Sequence, residues 1–228
     1  MRVAWIDRAR GLALCAMIVF HFSYDLSFLG YVTWPVSGGT GWRVFAISIA
    51  ASFVALAGVS LQIAHGDGIR WRGFWRREAV LAIAALAVTL GTGWAMGAPV
   101  WFGILHAIAL FSLMALPFVA APTWIVLGAA AVTFAAPLIL VSEMFSHPAL
   151  YPLGLAPEVR PSLDYEPIFP WFAAMLAGLA LARHVPLPRQ APAGDILARM
   201  GRHSLAIYLL HQPILFGGLM AYGWLRAV

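Results

Sequence analysis

The stretch IDRARGLALCAMIVFHFSYDL, residues 6–26, decides the fold. Its middle, GLALCAMIVF (11–20), carries no charge. With its flanks it is long enough to cross hydrocarbon as a helix, since about 20 residues rising ~1.5 Å each cover ~30 Å. Ionisable groups nevertheless interrupt the pattern at Asp7, Arg10, His21 and Asp25. At ~100° per residue the step from Arg10 to His21 is about three full turns, and Asp7, Arg10, Leu14, His21 and Asp25 fall within an arc of roughly 60°. Ionisable side chains on one stripe of a membrane helix face a polar interior, so the stripe is a candidate functional site.

The rest of the chain repeats the apolar theme. It has 228 residues, 62% hydrophobic and 10% charged, with a mean hydropathy of +0.86. That excludes an ordinary soluble domain and predicts an integral membrane protein whose constant partner is the lipid bilayer. Every basic residue is Arg, and these arginines flank apolar segments, so the net charge of +5 predicts membrane-side charge and no nucleic-acid partner. The single Cys15 lies within an apolar run and reads as a small buried hydrophobe. The first apolar run extends to about Leu29 with no small-x-small cleavage site, so it is expected to be a retained span.

Seven segments have the length and composition of spans: Ala9–Leu29, Trp42–Ala64, Ala79–Met96, Trp101–Val119, Trp124–Val141, Ile168–Ala182 and Ser204–Trp224. The predicted fold is an all-α polytopic bundle of about seven transmembrane helices, one domain over residues 1–228. With the N-terminus cytoplasmic, only Arg43, Arg160 and Arg226 fall outside; Arg2, Arg8, Arg10, Arg70, Arg72, Arg76, Arg77, Arg183, Arg189, Arg199 and Arg202 lie inside. This bias fixes the expected orientation as N-in, C-out. Small residues such as Gly58 and Gly178 suit close helix contacts, and a homodimer through exposed helix faces is one use for them.

Chemistry concentrates at four places. Asp25 lies one turn beyond His21 on the same face, and a carboxylate beside an imidazole fixes its tautomer and suits a general base. The last span carries Ser204, Tyr208 and His211 at i, i+4, i+7, and Pro213 leaves the Leu209 carbonyl without its helical donor. His106 sits in the fourth span, and Asp164, Tyr165 and Glu166 precede the sixth. Arg43, at the outer end of the second span, is expected to pair with one of these carboxylates or to hold an anionic acceptor. The inner arginines Arg70, Arg72, Arg76, Arg77 and Arg202, interleaved with Trp71, Phe74 and Trp75, serve as topology signals or as forks for polyphosphate.

With those residues in view, the chain resembles the prokaryotic relatives of heparan-α-glucosaminide N-acetyltransferase, within the transmembrane acyltransferase superfamily and distantly like the acyltransferase-3 family. The resemblance rests on IDRARGLALCAMIVFHFSYDL (6–26), FGILHAIAL (102–110), DYEPIFPWF (164–172) and GRHSLAIYLLHQP (201–213). It implies transfer of an acyl group, acetyl by preference, from cytoplasmic acyl-CoA to a glycan or small-molecule acceptor across a bacterial inner membrane, with no metal. The Arg-x10-His motif maps onto Arg10 and His21, which makes His21 the implied catalytic histidine, either as base or as acyl carrier. Asp25 would orient it. Tyr208, Ser204 or the open backbone near Pro213 would steady the thioester oxyanion, with His211 in the same closing motif. Arg10, Ser204, His106, Asp164, Tyr165 and Arg43 are the expected acceptor-side contacts, and Arg70, Arg72, Arg76, Arg77 and Arg202 those to acetyl-CoA. Two readings from other classes stand beside this one. A b-type cytochrome would use His21, His106 and His211 as haem ligands; a proton-coupled transporter or flippase would use Asp25, His21 and His211 as a relay.

Overall fold

The computed structural model describes residues 3–159, 161–185 and 195–227. Eight α-helices appear among them: α1 (Ala4–Phe28), α2 (Thr40–His65), α3 (Trp71–Met96), α4 (Ile104–Val119), α5 (Thr123–Leu140), α6 (Ile168–Leu181), α7 (Ile196–Arg202) and α8 (Ser204–Ala227), with 3₁₀ turns at Glu143–Phe145 and Pro148–Leu153. The chain is an all-α polytopic membrane protein. Five helices (α1, α2, α3, α5 and α8) are long and apolar enough to span a membrane, and α4 and α6 are shorter apolar helices. Arg2, Arg160 and Arg189 of the expected charge pattern lie outside the described residues.

By backbone contacts the chain divides into two compact units, Met1–Phe53 with Leu187–Val228, and Val54–Pro186. In the first unit α1 packs closely on α7 because two glycines permit it. A Cβ at Gly11 would overlap the Leu197 carbonyl, and one at Gly201 would overlap that of Asp7. An Arg8–Asp195 ion pair ties the same two helices together. Asp195 also caps α7 by accepting from the Ala198 amide at 3.0 Å. These hydrogen bonds hold its carboxyl below the ordinary carboxylate range. This seven-residue helix lies outside the seven expected spans. Further along, Leu14, Met17 and Ile49 form a small core with Phe20, Phe45, Met200, Ile207 and Tyr208 around them.

In the second unit α3 presents Val80, Ile83, Leu86 and Leu90 outward, with Trp71 and Trp75 exposed near one end and Trp94, 91% exposed, near the other. Trp75 and Trp94 stand about 28 Å apart along the axis, the spacing of the two aromatic belts of a bilayer. It begins at Trp71, ahead of the expected Ala79, so Arg72 and Arg76 ride on the helix itself. By contrast α6 is buried over much of Phe172–Ala180, and because its backbone is non-helical at Phe169 the regular helix from Pro170 covers only about 18 Å. The 16 residues of α4 cover about 24 Å.

That is a correction to the fourth span, expected to begin at Trp101. The helix starts at Ile104 because the Asp164 side chain, sixty positions away, accepts its amide at 2.8 Å. The backbone ahead of it pairs with the loop before α6, with Phe102 bridged to Tyr165 and the Glu166 amide donating to the Phe102 carbonyl at 2.9 Å. Non-helical backbone at membrane depth is tolerated where its polar groups are satisfied within protein, so interior helices can be short while lipid-facing ones cannot.

Two more contacts organise this unit. Gly58 sits against the Met175 backbone and Gly178 against that of Ala55, so α2 and α6 approach through a pair of glycines. These glycines are therefore consumed inside the chain and do not serve a contact between copies. Arg183, just past α6, donates to the Phe118, Val119 and Ala121 carbonyls, to the Thr123 hydroxyl and to Gln62. It thus satisfies the Val119 and Ala121 carbonyls past the last turns of α4 and adds a second donor to that of Phe118, which the Ala121 amide already reaches.

Candidate functional site

The ionisable stripe of α1 meets the polar stripe of α8 in the first unit. The His21 and His211 rings touch edge-on, centroids 4.9 Å apart and planes at 61°. The Tyr208 ring lies 5.7 Å from that of His211, and Phe20 lies 5.6 Å from His21 on the other side. The direct ring contact leaves no room for a porphyrin between the two imidazoles, against the haem alternative.

One residue that the sequence did not single out belongs here. The Gln212 amide donates to Asp25 Oδ1 at 2.7 Å. Asp25 is 1% exposed, and neither its Oδ2 nor the Gln212 Oε1 has a hydrogen-bond partner among the described residues. This corrects the expected Asp25–His21 pair: the carboxylate reaches across to α8 instead of along its own helix. An amide inside LLHQP is the signal that was available, since uncharged polar groups at membrane depth also seek partners. Arg10 lies toward the other end of α1, its Nη1 3.4 Å from Asp7 Oδ1. Ser204 opens α8 one turn before Tyr208, and the helix runs on through Pro213. Arg202 and Arg43 are exposed.

In His211, Nδ1 lies 2.5 Å from the Tyr208 carbonyl oxygen. A carbonyl only accepts, so Nδ1 carries the hydrogen and Nε2 of the neutral ring is a lone-pair acceptor. That Nε2 is buried without a partner.

The second unit holds the remaining candidates at two places. His106, in the first turn of α4, shares a 3.2 Å contact between its Nε2 and the Thr89 hydroxyl, which itself donates to the Val100 carbonyl. Nearby, Asp164 fills the space that a side chain at Gly103 would occupy. The Tyr165 hydroxyl donates to the Tyr151 carbonyl at 2.6 Å, and Glu166 Oε2 is enclosed with no partner. Burial raises the Asp164 carboxyl above its usual range. Burial and the neighbouring Asp164 charge push Glu166 up to about 9, and burial together with Tyr151 pushes Tyr165 up to about 12.

A raised carboxyl favours the fold while protonated. The Glu166 contribution is complete below about pH 4.5, where the unfolded chain also holds the proton, and is lost as pH rises toward about 9. The melting temperature is therefore expected to fall between pH 5 and pH 8, and Glu166→Gln to flatten that slope; an unchanged slope in the variant would refute the assignment.

The arginines of α3 divide by the direction they face. Arg70 caps the end of α2 by donating to the Ala64 carbonyl. Arg72 and Arg76 are exposed beside Trp71 and Trp75. Arg77 turns inward and bonds Glu78 at 2.7 Å and the Ser112 hydroxyl at 2.9 Å. Among the described residues no three His, Cys, Asp or Glu side chains come together as a metal site requires.

No curated protein and no solved structure matches the chain. A family defined as heparan-alpha-glucosaminide N-acetyltransferase, catalytic, matches residues 2–213. That match takes in both stripes, the imidazole contact and the Asp25–Gln212 bond, and stops at the proline that follows them. By this match the chain belongs to the heparan-alpha-glucosaminide N-acetyltransferase catalytic family.

Proposed function

We propose that this protein moves an acyl group, acetyl by preference, from cytoplasmic acyl-CoA to an amine or hydroxyl of a glycan-type or small-molecule acceptor on the far side of a bacterial inner membrane. The observation that carries the reading is the His21–His211 contact, two imidazoles on two apolar helices inside the segment that matches a transferase family. An intramembrane imidazole pair is costly without chemistry to perform.

In this reading His21 is the reacting group, with Tyr208 and His211 beside it and Asp25 held by Gln212. It either deprotonates the acceptor for direct attack on the thioester or takes the acyl group and passes it on. The Tyr208 and Ser204 hydroxyls are the donors proposed for the thioester oxyanion. Arg77 is the arginine best suited to the anionic donor, because Glu78 and Ser112 already hold its guanidinium in one orientation. Arg70 and Arg183 are committed to backbone carbonyls, and Arg72 and Arg76 face outward among tryptophans, as residues that meet lipid headgroups do. Arg202 remains the candidate donor contact of the first unit. His106, Asp164, Tyr165, Arg10 and Arg43 are the residues proposed for acceptor contacts, and one domain over 1–228 is the proposed organisation. Membership in a single family over 2–213 supports that last point.

Calorimetric titration of detergent-purified protein with acetyl-CoA tests the donor half. Saturable binding is expected, weakened at least tenfold in Arg77→Gln and less than about twofold in Arg72→Gln/Arg76→Gln, since a lost charged hydrogen bond is worth about 1.5–3 kcal/mol. Absence of binding by folded wild type across several acyl-CoAs would overturn the reading. Solute flux in liposomes free of acyl-CoA would then favour the His/Asp relay transporter.

A further inference from the structure

The acyl-transfer reading leaves open what sets the proton on His21, and the expected answer, Asp25, is occupied elsewhere. Asp25 Oδ1 accepts from Gln212. No hydrogen bond among the described residues joins the carboxylate to His21. The group that does meet His21 is the His211 ring.

Three features of His211 bear on its job. Its Nδ1–H is spent on the Tyr208 carbonyl, one turn back along α8, so its tautomer is fixed by backbone that no substitution of a side chain removes. Its Nε2 therefore presents a lone pair, and that atom is enclosed with no donor supplied to it. The ring nitrogens of His21 are not sealed in this way. An enclosed acceptor beside a second imidazole has the layout of an orienting group behind a base, the place a carboxylate holds in a serine-type triad.

We propose that His211 is the positioning residue for His21: the carbonyl of Tyr208 fixes the His211 tautomer, and His211 Nε2 then accepts the N–H of His21, leaving the other His21 nitrogen unprotonated for the acceptor. This rests on the acyl-transfer reading above. A modest turn of the His21 ring closes the hydrogen bond, as happens when catalytic contacts tighten around substrate. In the reaction the acceptor heteroatom forms its bond to the thioester carbonyl carbon while its proton passes to the open nitrogen of His21. The carbon–sulfur bond breaks with its electron pair on the CoA sulfur, and His21 returns the proton to that sulfur. The products are the acylated acceptor and the free thiol, and His211 neither gains nor loses a proton. A neutral orienting partner needs no counter-charge in hydrocarbon, which a carboxylate in that position would.

Two measurements test it. In full-length protein labelled with ¹⁵N-histidine, the His211 signals, assigned by their loss in His211→Gln, are expected to show a protonated Nδ1 and an unprotonated Nε2, and to keep that pattern in His21→Ala. In transfer assays normalised to folded protein, His211→Leu is expected to lower kcat about 10²-fold or more, within the range of general-base effects, while KM for acetyl-CoA changes less than about threefold. His211→Gln, whose amide oxygen can accept the same N–H, is expected to recover at least tenfold of that loss. A purely structural role would lower the yield of folded protein and leave kcat per folded molecule unchanged. A protonated His211 Nε2, or a His211→Leu kcat within threefold of wild type, overturns the proposal while acyl transfer by wild type stands. Failure of the wild type to transfer from any acyl-CoA overturns the reading beneath it, and the proposal falls with it.

Discussion

Purified His21→Ala is expected to bind acetyl-CoA as wild type does and to transfer the acetyl group about 10²–10⁴-fold more slowly, the range measured for general acid–base groups. The separation of the two effects follows from where the residue stands. His21 stands on α1 with its ring against that of His211, and the residues proposed for the donor are the arginines Arg77 and Arg202. Truncating the imidazole removes no hydrogen bond among the described residues and opens a modest gap beside Phe20 and His211. Stability should therefore change little, and a melting curve beside the kinetics makes that checkable. Near-normal transfer by the variant would sink His21 as the reacting group. A covalent route adds a distinguishing mark: an acyl-histidine formed without acceptor would appear as a mass increase in wild type and not in His21→Ala.

The second large effect is structural. Arg183→Leu is expected to abolish recovery of folded protein, and Arg183→Lys to restore it only in part. Among the described residues this guanidinium bonds three backbone carbonyls, one hydroxyl and one side-chain amide around the ends of α2, α4, α5 and α6. The Val119 and Ala121 carbonyls would lose this donor while Phe118 keeps the Ala121 amide, and each carbonyl left unpaired away from water costs about 1–3 kcal/mol. Lysine offers three donors from one point, whereas the planar fork reaches both sides of the α4–α5 turn. Arg199→Leu, which breaks no described hydrogen bond, is the control. Wild-type melting of Arg183→Leu would show that the clamp is dispensable.

The spans were legible because an apolar run of about 20 residues has few alternatives in a membrane protein, and each of the seven expected segments contains a helix. What could not be read locally was anything decided by a distant partner. The late start of α4 depends on an aspartate sixty positions on. The seven-residue α7 depends on its Asp195 cap and on two glycines that let it lie against α1. At the candidate site, helical spacing placed His21 with Asp25 on one stripe and Tyr208 with His211 on another. Spacing along a single helix cannot decide which residues meet across two helices. The pairing of Asp25 with Gln212, and of His21 with His211, is set by the register of α1 against α8, and no period within either segment encodes it. Arg183 illustrates the same limit: its charge marks a membrane side, while its work is done on carbonyls.

The short interior helices of the second unit also have an electrical consequence. Because the regular parts of α4 and α6 are about 24 and 18 Å long, neither spans a ~30 Å hydrocarbon layer by itself, and both begin at the bonded loop backbone around Phe102 and Tyr165. A membrane potential falls most steeply across the least polarisable material, so a shorter apolar path would carry the same potential over a smaller distance. Moving one elementary charge through that drop costs or yields about 2.3 kcal/mol per 100 mV. A neutral acyl group crosses it with no electrical work at all, whereas the ammonium form of an amino acceptor would not. In the proposed reaction the proton that His21 takes from the acceptor and returns to the CoA sulfur carries a charge over part of that drop, so the rate of transfer is expected to follow the energised state of the membrane.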